Sequence, residues 1–159
     1  MIVLESTGAG AIEIRTADES GLDPDTYNAF IAALQLTGIE LVKIQGERTS
    51  PGASSQNRFG LSAGYMLDGE KIHYRYDVTA HFLDDTGKVL GNASASVLLV
   101  ASGACTFSAA CFDRFGATSG ALMVHPYLRE AISSTSQRIG FPGILLPMMT
   151  YQPDTPDPE

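Results

Sequence analysis

Ile72, Tyr74, Tyr76, Val78, Ala80 and Phe82 alternate without a break against His73, Arg75, Asp77, Thr79 and His81. A period of two sustained over that length suits an extended strand, with one face in an apolar interior and the other in water. Such a strand needs neighbours for its backbone groups and a layer to cover its apolar face. Both are legible nearby. Upstream, Phe59, Leu61, Ala63, Tyr65 and Leu67 alternate with Arg58, Gly60, Ser62, Gly64 and Met66, giving one large-residue face and one nearly bare face. Asp68-Gly69 joins the two as a tight hairpin. Downstream, Asp84 to Gly87 forms a second hairpin, and Val89 to Ser102 follows as a long strand with small residues at its centre. Ile39 to Arg48 is also β-rich, but its alternation slips around Val42 to Ile44, which predicts a bulge or burial on both faces. Four strands joined in series predict an antiparallel meander.

Helical signals flank this block. Asp23-Pro24 reads as an N-cap followed by proline in the first turn, and Tyr27, Phe30, Ile31 and Leu34 then form one stripe at i, i+3, i+4 and i+7. Phe107, Phe112 and Phe115, with Ala109, Ala110 and Cys111 among them, predict a short helix before Gly116–Gly120. A longer helix is expected to start at His125-Pro126, with Leu128, Ala131, Ile132, Thr135 and Ile139 on one face. Gly140 supplies a left-handed stop and Pro142 blocks continuation. The expected fold class is therefore α+β: a four-stranded antiparallel meander with a short N-terminal helix and a long C-terminal helix packed on one face. Residues 1–22 read as an N-terminal arm that is either a loose strand pair or mobile. Residues 23–150 form the domain, and residues 151–159 read as an acidic, proline-rich disordered tail.

Charge and composition narrow the function. The net charge of −8 comes from the two ends: six acids stand against Arg15 alone before residue 36, and three acids stand unopposed after residue 151. With no basic stripe, nucleic acid is an unsuitable partner. No apolar run approaches the roughly 18 residues that cross a bilayer, and Met1 to Leu4 run into Glu5 without a basic leader, so the expected address is cytoplasmic.

Tests of the reactive residues eliminate most chemistry. His73 and His81 share a strand face, but eight residues separate them by about 26 Å, so they cannot hold one ion within a chain. Cys105 and Cys111 have the spacing of neither a redox pair nor a zinc half-site. His125 and Cys111 lack a third, orienting group. Gly8 and Gly10 follow no strand suited to a phosphate loop. The expectation is no catalytic residue, no metal and no cofactor. What remains is apolar surplus, ring-bearing and methionine side chains that so small a layer cannot all cover, and these suit a binder of varied apolar sequences.

The segment Met123 to Ile132 carries Pro126, Tyr127, Arg129 and Glu130, and resembles the Pro-Tyr-x-Arg-Glu signature of the SecB export chaperones. Phe141-Pro142-Gly143-Ile144-Leu145-Leu146-Pro147 is similar to the Phe-Pro-x-Leu-x-Leu-x-Pro element of the same family, with the second proline one place early. The likeness spans residues 27–150. It implies a cytoplasmic homotetramer, a dimer of dimers, that binds unfolded polypeptides in apolar grooves without ATP. Its clients would be preproteins handed to the SecA motor, or an antitoxin in the toxin–antitoxin branch. Implied substrate-binding residues are Phe59, Leu61, Tyr65, Phe107, Phe112, Phe115, Tyr127, Leu145, Leu146 and Met148. Leu83, Asp84 and Asp85 stand where a motor partner would dock. Leu128, Ala131, Ile132, Thr135 and Ile139 are the implied oligomer interface. The short chain after Thr150 lacks the second amphipathic helix and docking tail usual in export chaperones.

Two other classes remain open. A hot-dog-type thioesterase or small-molecule cup also sets a helix on an antiparallel sheet, but it needs a polar group in an apolar pocket, and the apolar faces of the second to fourth strands carry no acid or histidine. A non-chaperone adaptor subunit would bind one tight partner.

Overall fold

The computed structural model describes residues 2–7, 11–15 and 22–151, with side chains from residue 22 to residue 147. In chain order the elements are strands β1 (Ile2–Thr7) and β2 (Ala11–Arg15), helix α1 (Pro24–Ala33), and strands β3 (Gln35–Arg48), β4 (Gln56–Asp68), β5 (Lys71–Leu83) and β6 (Val89–Ser102). Helix α2 (Ala109–Phe115), a π-helical segment (Gly116–Gly120), helix α3 (Ala121–Arg138) and strand β7 (Met148–Tyr151) complete the chain. Of the two readings of residues 1–22, β1 and β2 form the strand pair. Residues 152–159 of the expected tail lie outside the described residues.

The four expected antiparallel strands are present, but their neighbours differ in one respect. Among the described residues the sheet runs β3-β6-β5-β4-β1-β2-β7. β4, β5 and β6 form the meander, while β3 pairs with β6 and not with β4. A seven-residue link from Arg48 to Gln56 carries the chain from one side of the meander to the other, a length that the sequence alone reads equally as a hairpin loop. β3 contains register shifts at Leu36/Gly38 and Leu41/Lys43, so the slip at Val42 is a bulge and not two-sided burial.

On β5 the alternation holds: Ile72, Tyr74, Tyr76, Val78, Ala80 and Phe82 are all buried. Across the ladder they face Ala101, Leu99, Val97, Ala95, Ala93 and Gly91 of β6, and together these make the floor on which the helices lie.

The long helix begins earlier than expected. Its buried stripe extends upstream through Ala121, Val124 and Leu128, so α3 starts at Ala121 and Pro126 is interior. There the proline removes one hydrogen bond, that to the carbonyl of Leu122, without ending the helix. Gly116–Gly120 is not a break either, since its π-helical turn joins α2 to α3. Tyr76 explains why. Its hydroxyl donates to the Gly116 carbonyl at 2.7 Å, and a Cβ on Gly120 would lie 2.5 Å from that same oxygen. The helix ends as expected, with Gly140 at φ 88°.

Candidate functional site

The aromatic residues expected to line a groove are brought together, mostly in the interior. Phe30 of α1 sits at the centre, completely buried, with the rings of Phe107, Phe112 and Phe115 at 5.6, 5.8 and 6.1 Å. Tyr65 continues the cluster through Phe112 at 5.3 Å and Tyr74 at 5.9 Å. Phe112, Phe115, Leu61 and Leu146 are buried core, whereas Phe59, Tyr65 and Phe107 are half-buried and form the rim of the cluster. Tyr127 and Leu145 are exposed. The side chain of Met148 lies outside the described residues.

The cluster also holds an acid that pattern reading missed because it comes from a helix. Asp113 on α2 has Oδ1 enclosed without a hydrogen-bond partner. Burial first, and the Asp113 charge second, raise the Tyr65 phenol above its ordinary value.

The stripe read as an oligomer contact is occupied within the chain. Leu128, Ala131, Ile132 and Thr135 are buried, and Ile139 packs against the same core. An amphipathic helix on a sheet turns its apolar stripe inward and leaves the opposite face toward solvent. That outer face carries a groove of about 480 Å³ lined by Pro126, Arg129, Glu130, Ser133, Gln137 and Leu145 among others. Arg129 has its Nε enclosed and unpartnered there.

Leu145 reaches this groove because residues 141–147 run back along α3. The Phe141 N–H donates to the Ser136 carbonyl at 3.0 Å. At the far end the buried His125 holds Pro147: a carbonyl only accepts, so Nε2–H donates to it, at 2.9 Å.

The turn expected to dock a motor is largely self-contained. Leu83 is buried. The Asp84 carboxylate accepts from the Thr86 N–H at 2.9 Å, the Thr86 hydroxyl at 2.6 Å and the Lys88 N–H at 3.0 Å. These bonds, the Thr86 hydroxyl first, hold Asp84 below the usual carboxylate range. Asp85 alone of the three is exposed.

Exposed apolar surface lies in places that the sequence reading did not nominate. Leu36, Leu41, Val42 and Ile44 of β3 are 42–50% exposed. Leu36, Leu41 and Ile44 stand opposite Ala101, Val97 and Ala95, on the helix-facing side of the sheet, yet beyond the shelter of α3. The signal was present: an apolar-rich strand with broken alternation. Met66 and Leu67 at the end of β4, and Leu122 and Met123 at the start of α3, are exposed as well. Among the described residues, no three His, Cys, Asp or Glu side chains come together as a metal site, and no helix is long and apolar enough to cross a membrane.

The architecture has a counterpart among solved structures. It is similar to the Mycobacterium tuberculosis Rv1957 SecB-like chaperone, solved in complex with a ChAD peptide from the Rv1956 HigA1 antitoxin, with a TM-score of 0.70 at 14% identity. The match covers 81% of this chain and 99% of that one. The fold is SecB-like. No protein-family model matches the sequence, and no curated protein does. The SecB-like fold accounts for a sheet with helices on one face, and it leaves a fifth of this chain outside the match.

Proposed function

We propose that this chain is an ATP-independent holdase that binds unfolded polypeptides on apolar surface, in a cytoplasmic homotetramer arranged as a dimer of dimers. One observation carries the reading: a SecB-like fold that keeps large apolar side chains in solvent on β4 and α3. Large apolar side chains left in solvent are where another chain can bind, and exposed Met66 and Met123 repack readily around different sequences. The half-buried rings of Phe59, Tyr65 and Phe107, with Tyr127 and Leu145, are the client-facing set. Leu61, Phe112, Phe115 and Leu146 support them from the core.

An antitoxin-like client is favoured over a preprotein, because the similar SecB-like structure holds an antitoxin peptide. Docking of SecA at Leu83, Asp84 and Asp85 is not part of this reading, given how little of that turn is free.

Mixing the purified protein at one tetramer per chain with a slowly refolding substrate tests it. Delayed refolding and suppressed aggregation, both without ATP, are expected. Refolding and light scattering unchanged from the substrate alone would reject the reading.

A further inference from the structure

β4 presents a sheet edge that is only partly closed. All thirteen of its residues pair with β5 on one side. On the other side β1 pairs with three of them, Ile2 opposite Ala63, Val3 opposite Ser62 and Leu4 opposite Leu61. The remaining edge amides and carbonyls have no strand partner among the described residues, and an unpaired edge is a template for another extended chain. β1 is otherwise held by β2, and β2 by the four-residue β7. A small ribbon attached through so short a ladder is marginal by itself.

The sheet face next to this edge is open. A cavity of about 640 Å³ lies along Ser62, Ala63, Gly64 and Tyr65, with Arg75 and Asp77 on the next strand. An added Cβ at Gly60 or Gly64 would meet nothing within 4 Å, so no element covers that face of β4 at these positions. The sequence of β1 also resembles what such an edge selects: apolar Ile2 and Leu4 at alternate positions, opposite two buried residues.

We propose that β1 is an exchangeable occupant of the β4 edge, and that an extended client segment with apolar residues at alternate positions displaces it and pairs with β4 as a strand. The inference rests on the holdase reading and adds to it how the client is held. Main-chain hydrogen bonds supply affinity without regard to sequence, and the alternate apolar positions supply selection. A client longer than β1 gains because it continues the ladder toward Gln56 and Asp68, which β1 leaves unpaired.

A disulfide between β1 and β4 tests this. Val3→Cys with Ser62→Cys joins residues directly opposite in the register, at a separation typical of antiparallel pairs and within disulfide reach. Cys105→Ser removes the half-buried free thiol. The probe is fluorescently labelled, reduced and carboxymethylated α-lactalbumin, a permanently unfolded chain. The oxidised form is expected to bind it about ten-fold more weakly than the parent, with affinity restored on reduction. Equal affinity of the oxidised and reduced forms would overturn strand exchange. Deleting residues 2–7 is the second variant. It is expected to bind about three-fold more tightly than the parent, and weaker binding overturns the proposal. A parent that binds neither this probe nor an aggregating substrate removes the holdase reading and the inference with it. A parent that binds while the lock has no effect removes the inference alone.

Discussion

Arg48 joins the end of β3 to the end of α3, about ninety residues further along the chain. Its guanidinium donates to the Gly140 carbonyl at 3.0 Å and to the Gly52 carbonyl at 2.6 Å, and lies 4.4 Å over the ring of Phe141. It thereby satisfies the end of α3, where a cation opposes the negative pole of the helix. Phe141 in turn stacks on Phe82 at 4.3 Å. Gly91 makes this possible, because a Cβ there would stand 2.7 Å from the Phe141 ring and 2.6 Å from the Glu47 carbonyl. The two side chains differ in what their removal costs. Arg48 is exposed, so Arg48→Ala loses a screened cation–π contact and a cap, about 1 kcal/mol. Phe141 is buried, so Phe141→Ala leaves a cavity against Phe82 and costs about 3–5 kcal/mol. Urea unfolding midpoints give the order. An Arg48→Ala loss equal to or larger than that of Phe141→Ala would mean that the guanidinium and not the ring fixes this corner. Phe141 stands out in the sequence as part of a recognisable segment. Gly91 does not, because a glycine inside a strand looks the same whether it is a weak point or a seat for a distant ring.

The helical run from Ala109 to Arg138 shows where periodicity misleads. Its apolar stripe is visible in the sequence, but two glycines and a proline read as punctuation, and the segment looks like two helices with a gap. The strand beneath removes the gap. Tyr74 donates its hydroxyl to the Phe112 carbonyl at 3.1 Å and Tyr76 to the Gly116 carbonyl, so helix carbonyls around the π-helical turn are satisfied by side chains from β5. Nothing local to residues 109–120 announces those partners, whereas the alternation of β5 announces only that the tyrosines point inward. Burial raises both phenols well above their ordinary value, and burial is the main cause for each. The folded state therefore keeps protons that the unfolded chain releases above about pH 10. The stability these groups contribute is intact below that pH and is lost as pH rises toward the folded values. Chemical unfolding should thus show lower stability at about pH 11 than at about pH 8. Replacing both tyrosines by phenylalanine should flatten that dependence, while costing about 1–2 kcal/mol for each carbonyl left unpartnered at neutral pH. An alkaline loss that persists unchanged in the double variant would assign it to other groups.

The sequence is least informative at the edge of the sheet. The pattern identifies each strand and its inward face, but not that β3 leaves the meander and takes the far side of β6, since the order of strands depends on contacts between remote segments. β3 offers fourteen residues of backbone, paired on one side among the described residues, with Leu36, Leu41, Val42 and Ile44 half in solvent. Natural sheets protect an edge of this length with charge, proline or a covering element. This edge has bulges, but its apolar side chains favour a second copy of the chain, whose own β3 presents the same surface in an isologous contact. The outer face of α3, with its groove and the unpartnered Arg129 Nε, is the other surface available for assembly. Light scattering is therefore expected to give four chain masses for the parent. Leu41→Lys with Ile44→Lys places two charges on the edge without touching the buried face of β5, so circular dichroism should stay as in the parent while the mass falls to a smaller species. If the doubly charged variant kept the parent mass, β3 would not be the contact between copies, and the assembly would have to rest on the outer face of α3 alone.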